Sequence, residues 1–278
     1  MERIQSAIQK AREARRVSAS DEIAPKPAGA TVEALQPENP AVPLVDKLWA
    51  DLPEYDLKPS QLKRARISGY EASADSASFD VLRTRMMHQM ASNNWRRVAI
   101  TSPGSACGKT TLSLNLAFSI ARQRNIRSML VDLDLRRPSA HKLLGTSKCN
   151  FANALEGQSQ PEDHMVCYDR KLAFALNSDS VANSAELLQD KDVAHVIDRI
   201  EERYQPDIMI FDTSPMLACD DTYAFLDQID CVLLVAAAED TSADELEKCK
   251  DEIAGRCNLL GVVLNKCRYL EKLDKYGY

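Results

Sequence analysis

The chain has 278 residues, of which 41 are acidic and 35 are basic, and its formal net charge is −6. This acidic balance gives no general attraction to nucleic acid, so we expect no nucleic-acid partner. The eight cysteines form no CxxC pair and do not group with the four histidines, which argues against a zinc site or a disulfide framework. The longest apolar run, residues 232–238, is far shorter than a membrane span, and the N-terminus lacks the apolar core of a signal peptide. We therefore expect a soluble, cytoplasmic protein.

The first sixty residues differ in composition from the rest of the chain. Residues 1–16 predict a basic amphipathic helix, which suits an anionic membrane surface or a partner helix, or equally a solvated terminus. Residues 17–60 contain seven of the twelve prolines and predict a linker, interrupted at 45–49 by a short stretch suited to one docked helical turn. We expect a folded domain over residues 61–267 and a tyrosine-containing tail over 268–278.

A short loop of small residues follows an apolar run in the first part of the expected domain. Residues 98–102 predict a buried strand, and the apolar spacing from Lys109 onward predicts a helix. Backbone N–H groups in such a loop, together with the start of the helix, bind triphosphates. Pro103 stands where the strict loop pattern has its first glycine. The predicted nucleotide-binding residues of this loop are Gly104, Ser105, Ala106, Cys107, Gly108, Lys109, Thr110 and Thr111.

Strand and helix patterns alternate along the remaining chain, which predicts an α/β fold. Such alternation places the strands in a mostly parallel sheet covered by helices on both faces, a three-layer αβα arrangement. The predicted strands after the loop are residues 127–132, 172–176, 207–212, 230–236 and 259–264. The predicted helices outside the loop are residues 78–92, 186–204 and 242–255.

Polar residues follow several of these strands. Asp132 and Asp134 come after one strand, Asp212 ends another, and Asn265 follows the last. Because the carboxyl ends of parallel strands share one edge, we expect these side chains beside the phosphate loop. Each acid alone could equally cap a helix, but together they suit Mg²⁺, which prefers oxygen ligands. The predicted metal residues are Thr110, Asp132, Asp134 and Asp212.

Four segments carry a family resemblance: TSPGSACGKTT, MLVDLDLRRP, IMIFDTSP and GVVLNK. Together they are similar to the cytoplasmic domain of the bacterial tyrosine kinases of capsule and exopolysaccharide systems. These kinases belong to the P-loop NTPases, in the group that also contains the partitioning and division-site ATPases. The resemblance covers roughly residues 79–266, and its specific signal is the Asp-x-Asp-x-Arg block that begins at Asp132.

The resemblance implies roles for individual residues. Lys109, Asp134 and Asp212 become the catalytic residues: Lys109 binds phosphate, Asp134 activates the attacking phenol and Asp212 supports Mg²⁺. Thr110 also binds Mg²⁺, and Asn265 contacts the adenine of ATP. The tyrosines in the position of the family's autophosphorylated cluster are Tyr269, Tyr276 and Tyr278.

The implied function is an ATP- and Mg²⁺-dependent protein-tyrosine autokinase that regulates polysaccharide synthesis and export. The resemblance also implies a membrane polysaccharide co-polymerase, or chain-length protein, as anchor and activator at the inner face of the membrane. Self-association and a protein tyrosine phosphatase are further implied partners.

The chain departs from the family at several positions, which leaves alternatives open. The ring-assembly motif of the family, Glu-x-x-Arg-x-x-Arg, aligns with Ala77, Asp80 and Arg83, so only its last residue is present. One alternative is a partitioning-type ATPase without protein kinase activity, but those proteins have a signature lysine where this loop has Gly104. The other is an adaptor that binds nucleotide without catalysis.

Overall fold

The computed structural model describes residues 44–146 and 149–267. Within these ranges the chain forms a seven-stranded sheet with helices on both faces. The strands are β1 (Arg97–Thr101), β2 (Ser128–Leu133), β3 (Met165–Tyr168), β4 (Leu172–Ala175), β5 (Ile208–Thr213), β6 (Cys231–Ala237) and β7 (Asn258–Asn265). The α-helices are Leu44–Asp51, Pro59–Arg64, Ala77–Ser92, Lys109–Ala121, Ala140–Leu144, Phe151–Leu155, Ser184–Gln189, Lys191–Tyr204, Asp221–Phe225 and Ala243–Ala254, with 3₁₀ turns at Pro161–His164 and Leu226–Gln228.

The strands run in the spatial order β3-β4-β2-β5-β1-β6-β7. Every neighbouring pair is parallel except β3 and β4, which pair antiparallel at one edge. The mostly parallel α/β sheet expected from the alternating pattern is therefore confirmed. Strand β1 lies between β5 and β6, and β5 separates it from β2, so the carboxyl ends of β1, β2 and β5 are adjacent.

Two hydrophobic clusters cover the two faces of the sheet. Consecutive residues Leu130 and Val131 of β2 contribute to opposite clusters, as expected for a strand buried on both sides. The helix Lys109–Ala121 is buried over nearly its whole length, because the sheet lies on one side and the helix Ala77–Ser92 on the other. None of the helices in the described ranges is both long enough and apolar enough to cross a lipid bilayer.

One predicted helix differs from its expected form, and one strand was not expected. The helix expected over residues 186–204 is two helices, because Asp190 has an extended backbone and its carboxylate accepts the N–H of Asp192, starting a new helix. Strand β3 was not predicted. Its four residues form an edge strand that depends on pairing with β4 rather than on a long apolar run.

The docked helical turn expected at residues 45–49 is confirmed, whereas the linker expected around it is wrong over residues 44–60. Residues 44–51 form a helix in which the ring of Trp49 is fully buried, and Nε1 of Trp49 donates to the backbone oxygen of Tyr204 at 2.7 Å. Tyr55, also buried, donates its hydroxyl to the backbone oxygen of Leu144 at 2.8 Å. Two aromatic anchors outweigh the local proline content, so residues 44–60 belong to the folded domain. The helix predicted over 1–16, the linker before residue 44 and the tail tyrosines lie outside the described residues.

Replacing Trp49 by alanine tests this correction. Loss of a buried indole and its hydrogen bond should lower the free energy of unfolding by about 3–5 kcal/mol, as in other large-to-small core substitutions. Urea unfolding followed by circular dichroism measures the change. Leu44→Ala is the control, because Leu44 lies on the same helix but is 73% exposed. Equal, near-zero effects of the two substitutions would show that this helix is not part of the core.

Candidate functional site

The phosphate loop connects β1 to the helix Lys109–Ala121 at the carboxyl edge of the sheet. Ala106 and Gly108 both have left-handed backbones, with φ angles of 59° and 92°. Alternating handedness of this kind turns successive N–H groups toward one side and forms a concave anion site. Gly108 has no side chain to cap the helix, so the first N–H groups of the helix remain available to an anion.

Asn265 at the end of β7 holds this loop from the other side. Its Nδ2 donates to the backbone oxygen of Cys107 at 2.9 Å. A Cβ at position 108 would lie 2.3 Å from the same nitrogen, so both the left-handed φ and this close approach require glycine there. In this arrangement the side chain of Asn265 stabilises the loop, and its contact with adenine stays a prediction.

The side chain of Cys107 points into the protein. Its Sγ lies 3.3 Å from the backbone oxygen of Gly104, which also accepts the hydroxyl of Ser102 at 2.6 Å. These bonds close the loop on itself. Ser105 and Ala106 form its exposed rim, while Thr110 and Thr111 are half-buried.

Lys109 lies almost fully buried at the start of the helix and faces Asp134. Its Nζ is 4.0 Å from Oδ2 of Asp134, an ion pair formed between the loop and the segment after β2. Thr110, the next residue, accepts a hydrogen bond from the hydroxyl of Ser139 at 3.2 Å. Lys109 and Thr110 are thus both held by side chains from the segment that follows β2, which contains Asp134 and Ser139.

Asp132 and Asp212 lie directly opposite each other on β2 and β5, and both are fully buried. Burial raises the pKa of Asp212 to about 6, although the charge of Lys109 acts in the opposite direction. Burial and the neighbouring carboxylates of Asp212 and Asp134 raise the pKa of Asp132 well above its ordinary value. Buried carboxylates with raised pKa values are typical of functional sites rather than of ion pairs that stabilise a fold.

These carboxylates fit a divalent cation. Oδ2 of Asp132 and Oδ2 of Asp212 are buried without a hydrogen-bond partner among the described residues. A buried carboxylate oxygen left unpaired costs free energy, which a bound cation recovers. The described residues hold no cluster of three or more His, Cys, Asp or Glu side chains arranged to bind a metal ion. Mg²⁺ at this site would therefore depend on nucleotide oxygens and water as well.

The structure brings together the site residues predicted from sequence: the phosphate loop, Asp132, Asp134, Asp212 and Asn265 occupy one edge of the sheet. Sequence reasoning missed three serines that bind these groups. Ser113 donates to Asp212 at 3.1 Å, Ser139 donates to Thr110, and Ser214 donates to Asp134 at 3.0 Å. Ser214 directly follows the Asp-Thr pair that ends β5, and this position was the one feature of the sequence that could have indicated its role.

Comparisons with known proteins agree with this site. The family CbiA, described as the CobQ/CobB/MinD/ParA nucleotide binding domain, matches residues 98–275. The tyrosine-protein kinase YwqD of Bacillus subtilis is 29% identical over 209 residues, which cover 74% of this chain and 86% of YwqD. The tyrosine-protein kinase CpsD of Streptococcus pneumoniae is 28% identical over 196 residues, covering 68% of this chain and 83% of CpsD.

A solved structure gives the same result. The kinase domain of the Escherichia coli tyrosine kinase ETK superimposes with a TM-score of 0.65 at 25% identity, covering 74% of this chain and 82% of that one. The relatives named here are tyrosine kinases rather than partitioning ATPases, which favours the kinase interpretation over the alternatives. Because the family match covers more than half of the chain and includes the phosphate loop, this protein belongs to the CobQ/CobB/MinD/ParA nucleotide-binding domain family.

Proposed function

We propose that this protein is an ATP-dependent protein-tyrosine autokinase that regulates exopolysaccharide or capsule synthesis and export. The observation that carries the proposal is the pairing of Lys109 with Asp134 beside a phosphate loop, at 4.0 Å. A nucleotide-binding site needs only the loop and its lysine, whereas a carboxylate next to them suits proton removal from an acceptor hydroxyl. The named relatives are tyrosine kinases, which supports tyrosine as the acceptor.

The proposed reaction transfers the γ-phosphoryl group of ATP to a tyrosine phenol. The N–H groups of the loop bind the phosphates, and the ammonium of Lys109 stabilises negative charge on the transferred group. Asp134 accepts the phenol proton at Oδ2 as the phenol oxygen forms a bond to the γ-phosphorus, while the bond from that phosphorus to the bridging β-γ oxygen breaks and ADP leaves.

Thr110, Asp132, Asp134 and Asp212 are the residues proposed to hold Mg²⁺. When bound, Mg²⁺ supplies positive charge that offsets the charge of the phosphates. The unpaired oxygens of Asp132 and Asp212 support this assignment. Ser113 donates to the other oxygen of Asp212 and so orients that carboxylate.

The proposed partners follow from the same resemblance. A membrane polysaccharide co-polymerase would anchor the chain at the inner face of the membrane and activate it, and a protein tyrosine phosphatase would reverse the modification. Self-association is expected to use a surface other than the motif positions Asp80 and Arg83. Nη1 of Arg83 donates to the backbone oxygen of Ser119 at 3.0 Å, and Asp80 accepts from Arg83, so both are engaged within the chain.

Lys109→Met should lower the rate of phosphotyrosine formation at least about 100-fold, because the lysine stabilises charge in the transition state. Incubation of the purified chain with ATP and Mg²⁺, followed by a phosphotyrosine immunoblot, measures the rate. Lys250→Met is the matched control, since Lys250 is exposed on the helix Ala243–Ala254 and should have no effect. ATP hydrolysis without phosphotyrosine in the unmodified chain would favour the partitioning-type alternative. Nucleotide binding without either product would favour the adaptor.

Asp212→Asn should stabilise the chain in the absence of Mg²⁺ and nucleotide while abolishing kinase activity. Because the pKa of Asp212 in the folded state, about 6, lies above its ordinary value, the folded state binds this proton more tightly than the unfolded state. Stability is therefore lost as the pH rises from the ordinary aspartate pKa of 3.8 to about 6, and it is regained as the pH falls through that range. The melting temperature of the variant should exceed that of the unmodified chain at pH 7.5, and the gap should narrow at pH 5.

Asp227→Asn provides the control for that measurement, since Asp227 is a surface acid paired with Arg256. Its effect on the melting temperature should stay small and should not depend on pH in the same way. A lower melting temperature of Asp212→Asn at pH 7.5 would mean that the attraction between the Asp212 carboxylate and the charge of Lys109 outweighs the cost of burial.

The tail tyrosines are expected to be phosphorylated in trans. We propose mixing a Lys109→Met chain, with intact tyrosines, with an active chain in which Tyr269, Tyr276 and Tyr278 are all phenylalanine. Phosphotyrosine should appear on the Lys109→Met chain at a rate that rises with the concentration of the active chain, which mass spectrometry can follow. If the Lys109→Met chain stays unmodified at every concentration of the active chain, transfer to this tail in trans is wrong.

A further inference from the structure

Ser214 lies between two buried carboxylates, those of Asp134 and Asp221. Its Oγ is 3.0 Å from Oδ1 of Asp134 and 3.3 Å from Oδ2 of Asp221. A serine hydroxyl has a single proton, so it donates to one of these oxygens at a time. The direction of this bond depends on what else each carboxylate receives.

Asp221 already receives donors at both oxygens. Nε of Arg136 donates to Oδ1 at 2.9 Å, and the hydroxyl of Ser184 donates to Oδ2 at 2.8 Å. At Oδ1 of Asp134, the other donor is the N–H of Arg137 at the longer distance of 3.3 Å. Asp221 accepts closer hydrogen bonds from other donors than Oδ1 of Asp134 does, so the Ser214 hydroxyl donates to Asp134.

The backbone of Ser214 cannot easily move away from this position. Its carbonyl oxygen accepts the hydroxyl of Thr101 at 2.8 Å and that of Thr222 at 2.6 Å. Thr101 ends β1 directly before the phosphate loop. Two later residues of the turn, Met216 and Leu217, donate their N–H groups to the backbone oxygens of Ser102 and Pro103, where that loop begins. Ser214 is therefore fixed to the same element that carries the nucleotide-binding groups.

We propose that Ser214 is a positioning residue that fixes Oδ1 of Asp134 and so keeps Oδ2 directed toward Lys109, with Asp221 and Arg136 as its support. This inference rests on the proposed function, in which Oδ2 of Asp134 takes the phenol proton. The two oxygens of Asp134 thus have separate tasks: one is held by the protein, and the other, 4.0 Å from Nζ of Lys109, faces the reactants. A carboxylate free to rotate would present the reacting oxygen only part of the time.

The ion pair of Asp221 and Arg136 orients the Asp221 carboxylate and contributes little to the stability of the fold. The Asp221 side chain is fully buried, whereas that of Arg136 is 43% exposed and also contacts the surface residue Asp220. Burying a carboxylate against a half-exposed arginine gains little net stability. The arrangement instead holds Asp221 in one orientation, from which it contacts Ser214.

The test is a set of single substitutions in the full chain. Ser214→Ala should lower kcat for phosphotyrosine formation about tenfold, as for the loss of one hydrogen bond to a charged group. The KM for ATP should change less than twofold, since Ser214 makes no contact with the phosphate loop through its side chain. Ser214→Thr keeps the hydroxyl and should restore most of the rate. Asp221→Asn is a second variant, expected to lower kcat in the same direction by removing the support.

Two control variants separate positioning from general stability. Ser119→Ala removes a buried serine hydroxyl that donates to a carboxylate away from Asp134, that of Asp80, and Asp220→Asn removes the outer partner of Arg136. Both should leave kcat near that of the unmodified chain, with melting temperatures recorded for all variants. An unchanged kcat in Ser214→Ala, or equal losses in Ser214→Ala and Ser119→Ala, would overturn the inference.

A crystallographic comparison decides the matter independently of activity. The Asp134 carboxylate should rotate or occupy two conformers in Ser214→Ala and remain in place in Ser119→Ala. An unmoved Asp134 in Ser214→Ala contradicts the positioning role even if the unmodified chain proves inactive. Inactivity of the unmodified chain, with Asp134 displaced in the variant, would refute the proposed function alone.

Discussion

Parallel pairing of β1, β2 and β5 is the constraint on which the site depends. Its register sets Ile100 of β1 beside Asp212 and sets Asp212 beside Asp132. The phosphate loop begins one residue beyond the end of β1, so the sheet delivers the loop and two carboxylates to the same place. A slip of one residue between β2 and β5 would turn one carboxylate to the opposite face of the sheet.

This arrangement is costly for the fold. Asp132 and Asp212 are fully buried, each with one oxygen that has no hydrogen-bond partner within residues 44–146 and 149–267, and burial raises the pKa of both. The core on each side of the sheet offsets this cost, through the clusters that surround Phe118 on one face and Phe211 on the other. At these two positions the carboxylates proposed for activity therefore lower the stability of the fold.

Polar contacts over long sequence distances hold the site in shape. Asn265 supports the loop 158 residues earlier, and Ser214 binds Asp134 across 80 residues. Asn115 of the loop helix similarly accepts the N–H groups of Ser68 and Gly69, which ties the segment before the sheet to the nucleotide-binding helix. The result is a loop supported from several elements, which suits a site that must bind a highly charged ligand without rearrangement.

The sequence by itself determined the strand and helix pattern, the phosphate loop and the acids at the strand ends. These depend on local periodicity and on residue order: an apolar run that ends in Asp212 places that acid at a sheet edge whatever the remainder of the chain does. Tertiary structure decided the features that depend on contacts between residues far apart in the sequence. Residues 44–60 contain two prolines, and they join the folded domain because Trp49 and Tyr55 donate hydrogen bonds to the backbone of Tyr204 and Leu144, which are 155 and 89 residues away. The short strand β3 likewise exists because β4 offers it a pairing edge. Asp221 had no local signal at all, because its significance comes from meeting Arg136 and Ser214 in the folded chain.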